Sequence, residues 1–397
     1  MAPALPDNSV KENRAIVMIA LILVCLNLRI VFGGVGPLIP YMHLTPMVAS
    51  ILTALPPLCM GLFAPTGAMA ARRFGEERAL FLSVVILTIG ILIRSSSIPG
   101  LLAGTVIASI GVAALNVLTP VFIRRRFAPD RIGAIMGVYA MMMGAGGGIM
   151  AALSVPVYNA AGGSWPIALG VAALPSALGI VALAPLLGNS ARPRAAGDPE
   201  RSWNWLLTHP TAWSIVAFFG IQCLVFYTVL AWLPAIYVLK GVSPAVAGFF
   251  LALCIFAVAA GGFFGPFLAA RRKDQRLHIT ACIALCIVGI CGVLLAPAKT
   301  GWVWSIVLGF GMGAGQGIPG VLYARRTADH AQMAQLSGMV QTFGYLIAAA
   351  GPLVTAALHG WSGGWTWPLG FVLILLVLNG VLSLRGGRDH VIGDKRA

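Results

Sequence analysis

Carboxylates are scarce in this chain, with 11 Asp and Glu against 26 Lys and Arg in 397 residues, and charged residues of all kinds make up only 9%. Soluble domains carry roughly a quarter. With 59% hydrophobic residues and a mean hydropathy of +0.92, the chain could not cover a water-facing surface, so its solvent must be mostly lipid. The acids themselves, at 7, 12, 76, 77, 130, 198, 200, 274, 329, 389 and 394, all fall outside the long apolar runs or at their polar ends. None is expected at lipid depth, which argues against proton-driven antiport of cations, a chemistry that uses a membrane-buried carboxylate. The seven cysteines (25, 59, 223, 254, 282, 286 and 291) are odd in number and scattered through the apolar runs, which excludes a disulfide framework and a metal centre. No Ser/His pair, paired Asp or ligand cluster occurs at depth, so neither an intramembrane enzyme nor a cofactor is implied.

Long apolar runs are plentiful. A helix needs about 20 apolar residues to cross some 30 Å of hydrocarbon. Twelve stretches qualify, at 15–39, 46–70, 79–98, 101–123, 133–157, 165–187, 211–237, 244–268, 277–296, 301–323, 333–358 and 365–384. Runs so long and continuously apolar are helices rather than barrel strands. The first run is not a cleavable leader, because it carries Asn27 and Arg29 and lacks a small-residue cleavage pattern.

The net charge of +15 reflects topology. Arg72, Arg73 and Arg78, Arg124–Arg126, Arg271–Arg276 and Arg325–Arg326 fall in alternate loops, and of the 26 basic residues only Arg29, Arg94, Lys240 and Lys299 break the alternation. By the positive-inside rule both termini are cytoplasmic, and a nucleic-acid partner is excluded in favour of the lipid bilayer. His43 and His359 then lie near the outer ends and the other four histidines on the cytoplasmic side, all six as loop residues.

The polar stretch 188–210 divides the chain into a six-helix half (1–187) and a second (211–397). The halves repeat: Ala-Ala-Arg-Arg occurs at 70–73 and 269–272, and Pro120 followed by Arg124–Arg126 is echoed by Pro319 followed by Arg325–Arg326. Parallel repeats of this kind mark the major facilitator architecture. The Gly-rich runs 144–150 and 344–352 suit close helix packing and also a rocking interface.

Several stretches resemble the cyanate and 2-nitroimidazole permeases of the major facilitator superfamily. They are NLRIVFGGVGPLIP (27–40), NVLTPVFIRRRF (116–127), GIQCLVFYTVLAWLPAIY (220–237), GMGAGQGIPG (311–320) and LSGMVQTFGYLIAAAGPL (336–353). The resemblance implies an all-α membrane protein of twelve transmembrane helices in two six-helix halves. It further implies a transporter of the bacterial inner membrane acting on small, cyanate-like or nitroimidazole-like solutes. One departure stands out: Ala71 and Arg72 occupy the place of the superfamily's Asp after the second helix, with Glu76 and Glu77 as the nearest acids.

Arg29 sits near the middle of the first run, where a charge costs ~2.5–3.5 kcal/mol on insertion scales. No buried acid is available to pair with it. A guanidinium stays protonated and presents a planar donor fork suited to carboxylate-like anions or a nitro group. Phe32, Gly33 and Gly36 follow at helical spacing and would give it an aromatic wall and room. Asn27 points elsewhere, toward a neighbouring helix. Asn116, Gln222, Tyr227 and Gln316, polar at mid-depth of the fourth, seventh and tenth helices, are the other candidate substrate-binding residues. Arg94, near the outer end of the third helix, reads as an interfacial arginine that snorkels or, as the alternative, attracts anions at the entrance, Trp232 and Tyr237 as interface anchors, and Met141–Met143, Gln341 and Tyr345 as packing. The expected function is secondary or facilitative transport of a small anion by alternating access, by a monomer. A co-transported proton would ride with the substrate or use none of the usual groups, and uniport and anion exchange are equally open. The rival reading is export of small neutral xenobiotics, with Arg29 structural.

Overall fold

The computed structural model describes residues 14–127, 131–189, 203–328 and 330–392. Every regular element among them is helical. The twelve helices are α1 (Arg14–Gly33), α2 (Pro46–Phe74), α3 (Glu76–Arg94), α4 (Ile98–Arg126), α5 (Ile132–Ala160) and α6 (Trp165–Gly170 and Ala173–Leu183), then α7 (Pro210–Leu239), α8 (Pro244–Ala269), α9 (Arg276–Leu295), α10 (Gly301–Arg326), α11 (His330–Ser362) and α12 (Thr366–Leu382). Among the described residues, ten apolar stretches are long enough to cross a membrane. The other two helices are α3, with its charged ends, and the 17-residue α12. Most of the linker expected at 188–210 lies outside the described residues, and the part at 203–208 is a short 3-10 turn.

Helix ends run past the apolar windows because basic residues prolong a helix while ending a hydropathy peak. Thus α2 continues to Phe74 and α4 to Arg126. Starts are set by cap chemistry. Thr45 and Ser97 accept hydrogen bonds from the backbone N–H groups of Val48 and Gly100 with their hydroxyls, and a proline follows each cap. Gly75, at φ +86°, makes the turn from α2 into α3 that a side chain would strain. α1 breaks at Gly34 and resumes as Val35–Leu38, where Pro37 can donate no backbone hydrogen bond.

Large apolar side chains such as Leu174, Val181, Ile374 and Val377 stand exposed on the outer helices α6 and α12, as a lipid-facing surface requires. By contrast, α7 is enclosed along most of its length. Across the halves, α5 packs on α8 and α2 on α11. Glycines make the packing close both within and between the halves: a Cβ at Gly146 would stand 2.1 Å from the Leu26 carbonyl oxygen of α1, and one at Gly144 2.4 Å from Ala259 Cβ of the opposite half.

The repeat also appears in the polar contacts. In the first half, Arg126 pairs with Glu77 at 2.7 Å and Arg125 with Glu76 at 3.1 Å, so the two acids beside the missing Asp do form ion pairs. In the second half the corresponding fully buried Arg326 meets Gln275, which brings no charge. The C-terminal segment supplies the difference. Arg326 donates through Nε to the Gly386 carbonyl and through Nη2 to the Gly387 carbonyl, both at 2.9 Å, and Asp389 lies 3.8 Å from Nη1. Ile392 N–H returns to the Arg326 carbonyl at 2.8 Å. Deleting residues 385–397 should therefore strip the guanidinium of the Gly386 and Gly387 acceptors and of Asp389, leave it only Gln275 and the Lys273 carbonyl, and cost about 3 kcal/mol. Gln275→Glu should restore most of that loss, by supplying the carboxylate that Glu77 supplies in the first half. Thermal unfolding of the four proteins in detergent checks this, and an unrescued truncation would refute the equivalence. His390, 2.8 Å from Thr211 Oγ1, is held below the usual imidazole range by burial and by Arg326, Arg385 and Arg388. Because its folded value is lowered, the segment's docking weakens as pH falls through and below the ordinary histidine range.

Candidate functional site

The end of the bundle carrying Arg125–Arg126 and Arg325–Arg326 is the basic end, and α1 runs from it toward the far end. A cavity of about 410 Å³ lies between the halves, walled by α1, α4 and α5 on one side and α7, α8, α10 and α11 on the other. It reaches Met136 and Pro266, each about a turn from the basic end of its helix. On the far-end side of Gly33 the short segment Val35–Leu38 packs against α7, a Cβ at Gly36 falling 2.4 Å from the Leu230 carbonyl oxygen.

Among the described residues, Arg29 is the one charged residue in the lining. Its backbone is set by the seam of α1 and α5. A Cβ at Gly33 would stand 2.1 Å from the Gly147 oxygen, and one at Gly147 3.3 Å from Arg29 Cβ. Glycine at both positions brings the helices together and leaves the guanidinium directed across the cavity. There Nη2 donates to Gln316 Oε1 of the other half at a long 3.5 Å. The guanidinium carbon lies 4.5 Å from the ring centroid of Phe226 and 5.8 Å from that of Tyr227. Nη1 is buried and has no partner, and neither has Gln316 Nε2. Among the described residues the cavity thus presents two unused donors, one fully charged, and no acid. Charge-assisted donors are the strong ones, so the vacancy suits an acceptor, above all an anionic one.

The structure gathers some of the candidate residues and separates others. Arg29, Gly33, Asn116 and Gln316 line the cavity together. Asn116 and Gln316 each lie ten residues before the last arginine of their helix, so they are counterparts in the repeat. Tyr227 stands beside the guanidinium but faces the far-end side, where its hydroxyl donates to Met60 Sδ at 3.0 Å. Phe32 points away into a small apolar void, and Phe226 provides the aromatic wall in its place. The i+3 spacing misled because α1 is about to break. Gln222 is fully enclosed, with Gly315 against its side chain and Cys286 Sγ donating to its Oε1 at 3.6 Å, and it does not line the cavity. Mid-depth position did not reveal facing on α7, which is buried on every side.

Tyr139 and Met143 line the cavity as well. Their spacing was informative, because Tyr139, Met143 and Gly147 recur every four residues on one face of α5. Tyr345 also lines it, whereas Gln341, one turn earlier, donates instead to Ser337 Oγ at 2.8 Å. Asn27 behaves as expected, its Nδ2 donating to the Pro175 carbonyl of α6 at 3.0 Å. Arg94 does not snorkel: it is buried in the first half and donates to the Val31 carbonyl. Trp232 and Tyr237 are enclosed too, donating to the Pro352 and Gly301 carbonyls, and so are interhelical ties rather than interface anchors.

Twelve helices in two repeated halves around a solute-sized cavity define a solute transporter. Residues 17–352 match the family profile of the Major Facilitator Superfamily. The chain is 35% identical over 387 residues to the 2-nitroimidazole transporter of Escherichia coli (strain K12), spanning 96% of this chain and 98% of that relative. It is 29% identical over 378 residues to the cyanate transport protein CynX of the same organism, spanning 93% and 96%. The crystal structure of a bacterial homolog to the human lysosomal transporter Spinster, inward-facing and occupied, shares the fold. Its TM-score is 0.72 at 17% identity, over 95% of this chain and 97% of that one. The chain belongs to the Major Facilitator Superfamily, within the group that holds the 2-nitroimidazole and cyanate transporters; it is a transporter and not an enzyme.

Proposed function

We propose that the chain is a secondary transporter of the bacterial inner membrane for a small planar solute bearing a carboxylate, a comparable monoanionic group or a nitro group. It works by alternating access, with both termini cytoplasmic, as a monomer. The observation that carries this is the unpartnered Nη1 of Arg29, buried in a cavity whose described lining holds no acid to neutralise it. The basic end is then cytoplasmic, and the cavity lies toward it.

Cavity size narrows the solute. A water takes about 30 Å³ of liquid volume, so the space holds about a dozen. A triatomic anion would displace only a few of these. A ring-sized solute would displace about five and is large enough to lie against Phe226, Phe219 or Phe263 while its acceptor meets Arg29. Asn116, Tyr139, Gln316 and Tyr345 are the neutral groups available to the rest of the ring.

Calorimetric titration of the purified protein with benzoate and with benzamide, similar in shape and different in charge, tests the reading. Benzoate should bind at least about tenfold more tightly, one charge-assisted hydrogen bond being worth about 1.5–3 kcal/mol. Equal affinities would instead favour a carrier of neutral solutes in which Arg29 is structural.

A further inference from the structure

Arg94 is a second arginine enclosed in the first half without an acid, and its position is unusual. It ends α3, only 1% of it is exposed, and its Nη1 donates to the Val31 carbonyl of α1. Its Nε and Nη2 are buried and have no partner. An arginine held by a single carbonyl is costly to bury, so what that carbonyl does is the question.

Val31 lies two residues beyond Arg29, about 200° around a helix of 3.6 residues per turn. Arg94 therefore holds the back of α1 while Arg29 leaves from the front. The point of attachment is mechanically weak. α1 ends at Gly33, Gly34 forms a turn, and Pro37 removes the backbone donor that would have bonded the Gly33 carbonyl. The base from which Arg94 reaches is rigid. A Cβ at Gly104 of α4 would stand 2.3 Å from Arg94 N, and one at Gly90 of α3 2.3 Å from Ala108 N, so α3 and α4 are in backbone contact there. In its last-turn position the cation also lies at the favourable end of the α3 dipole.

We infer that Arg94 is a positioning residue for substrate recognition: by holding the Val31 carbonyl it fixes the rotation of α1 at its break and thereby aims the Arg29 fork into the cavity. The inference rests on the proposed role of Arg29. It requires that the Arg94 side chain act through α1, without touching the solute. A field effect of a second buried charge would attract the anion whatever cation held it. A positioning effect matters only where orientation matters, as it does for a planar fork and not for the single, freely turning ammonium of lysine.

The experiment measures benzoate affinity calorimetrically for Arg94→Gln and Arg94→Lys, each in the parent and in an Arg29→Lys background. Arg94→Gln should weaken binding about tenfold in the parent, the size of one charge-assisted hydrogen bond. In the Arg29→Lys background the same change should cost less than about twofold, a non-additivity that marks coupled residues. Arg94→Lys, which keeps a donor for the Val31 carbonyl, should recover most of the affinity in the parent, and it carries the comparison if the glutamine variant does not fold. Equal losses in both backgrounds would show a field or general structural effect and overturn the inference, as would an unchanged parent affinity. Absence of benzoate binding by the parent itself would instead count against the proposed function.

Discussion

Arg29→Gln is expected to weaken anion binding about 10- to 100-fold, the equivalent of removing a charged donor worth about 1.5–3 kcal/mol, and yet to raise the thermal stability of the empty protein. The two effects have one cause. Nη1 is buried with no partner, and the single hydrogen bond that the guanidinium makes, to Gln316, is 3.5 Å long. An arginine at mid-membrane costs about 2.5–3.5 kcal/mol. The ring of Phe226, 4.5 Å away, returns at most about 2 kcal/mol through cation–π attraction. The cost exceeds the return, so the neutral amide should stabilise the fold by on the order of 1 kcal/mol. An arginine with a structural role would give the opposite sign. Differential scanning fluorimetry and titration on the same preparation read both quantities. A lower melting temperature together with unchanged benzoate affinity would show that Arg29 serves the fold and not a ligand.

The second large effect concerns the seam between α8 and α10. Gly309 and Gly313 on α10 interlock with Gly261 and Gly265 on α8, each pair four residues apart. A Cβ would stand 2.0 Å from the Val258 oxygen at Gly313 and 2.1 Å from the Cys254 oxygen at Gly309. Backbone cannot rotate aside as a side chain can, so the helices would have to part. Overpacking costs about 1–3 kcal/mol per site, and Gly309→Ala with Gly313→Ala should cost about 4 kcal/mol together. Gly313 also borders the cavity one turn from Gln316, so each single variant that still folds should bind benzoate more weakly. Gly320 on the same helix is the control, because nothing lies within 4 Å of its would-be Cβ. Gly320→Ala should leave stability unchanged or raise it by up to about 1 kcal/mol through helix propensity. Melting temperatures that fail to separate Gly313→Ala from Gly320→Ala would contradict the packing account.

The fold was legible in the sequence because lipid imposes a coarse rule. Helices must be long and apolar, and basic residues gather at one set of loops, so the twelve segments and the repeat could be read without side-chain detail. The site was only partly legible. Arg29 could be found because a lone charge in an apolar run is expensive, and Gly33, Asn116 and Gln316 proved to share its cavity. Facing was harder to read. Phe32 follows the helical spacing yet turns into an apolar void, and Gln222 lies on a helix buried all round, where polarity gives no direction. Tyr139 was not among the sequence candidates and Met143 was read as packing; their four-residue spacing with Gly147 points to the cavity only once α5 is known to face α1. Arg94 was misplaced because proximity to a helix end suggests snorkelling, whereas the backbone contact at Gly104 turns that end inward. Similarly, nothing local to Arg326 announces that residues 384–392 fold back to it, because Gln275 conceals the pairing that Glu77 makes plain.

Uptake of radiolabelled benzoate into proteoliposomes under an imposed membrane potential, with the parent protein and Arg29→Gln side by side, tests the central claim most directly. The account predicts saturable uptake by the parent and uptake near the protein-free background for the variant, at equal amounts of folded protein. Undiminished uptake by Arg29→Gln would contradict it.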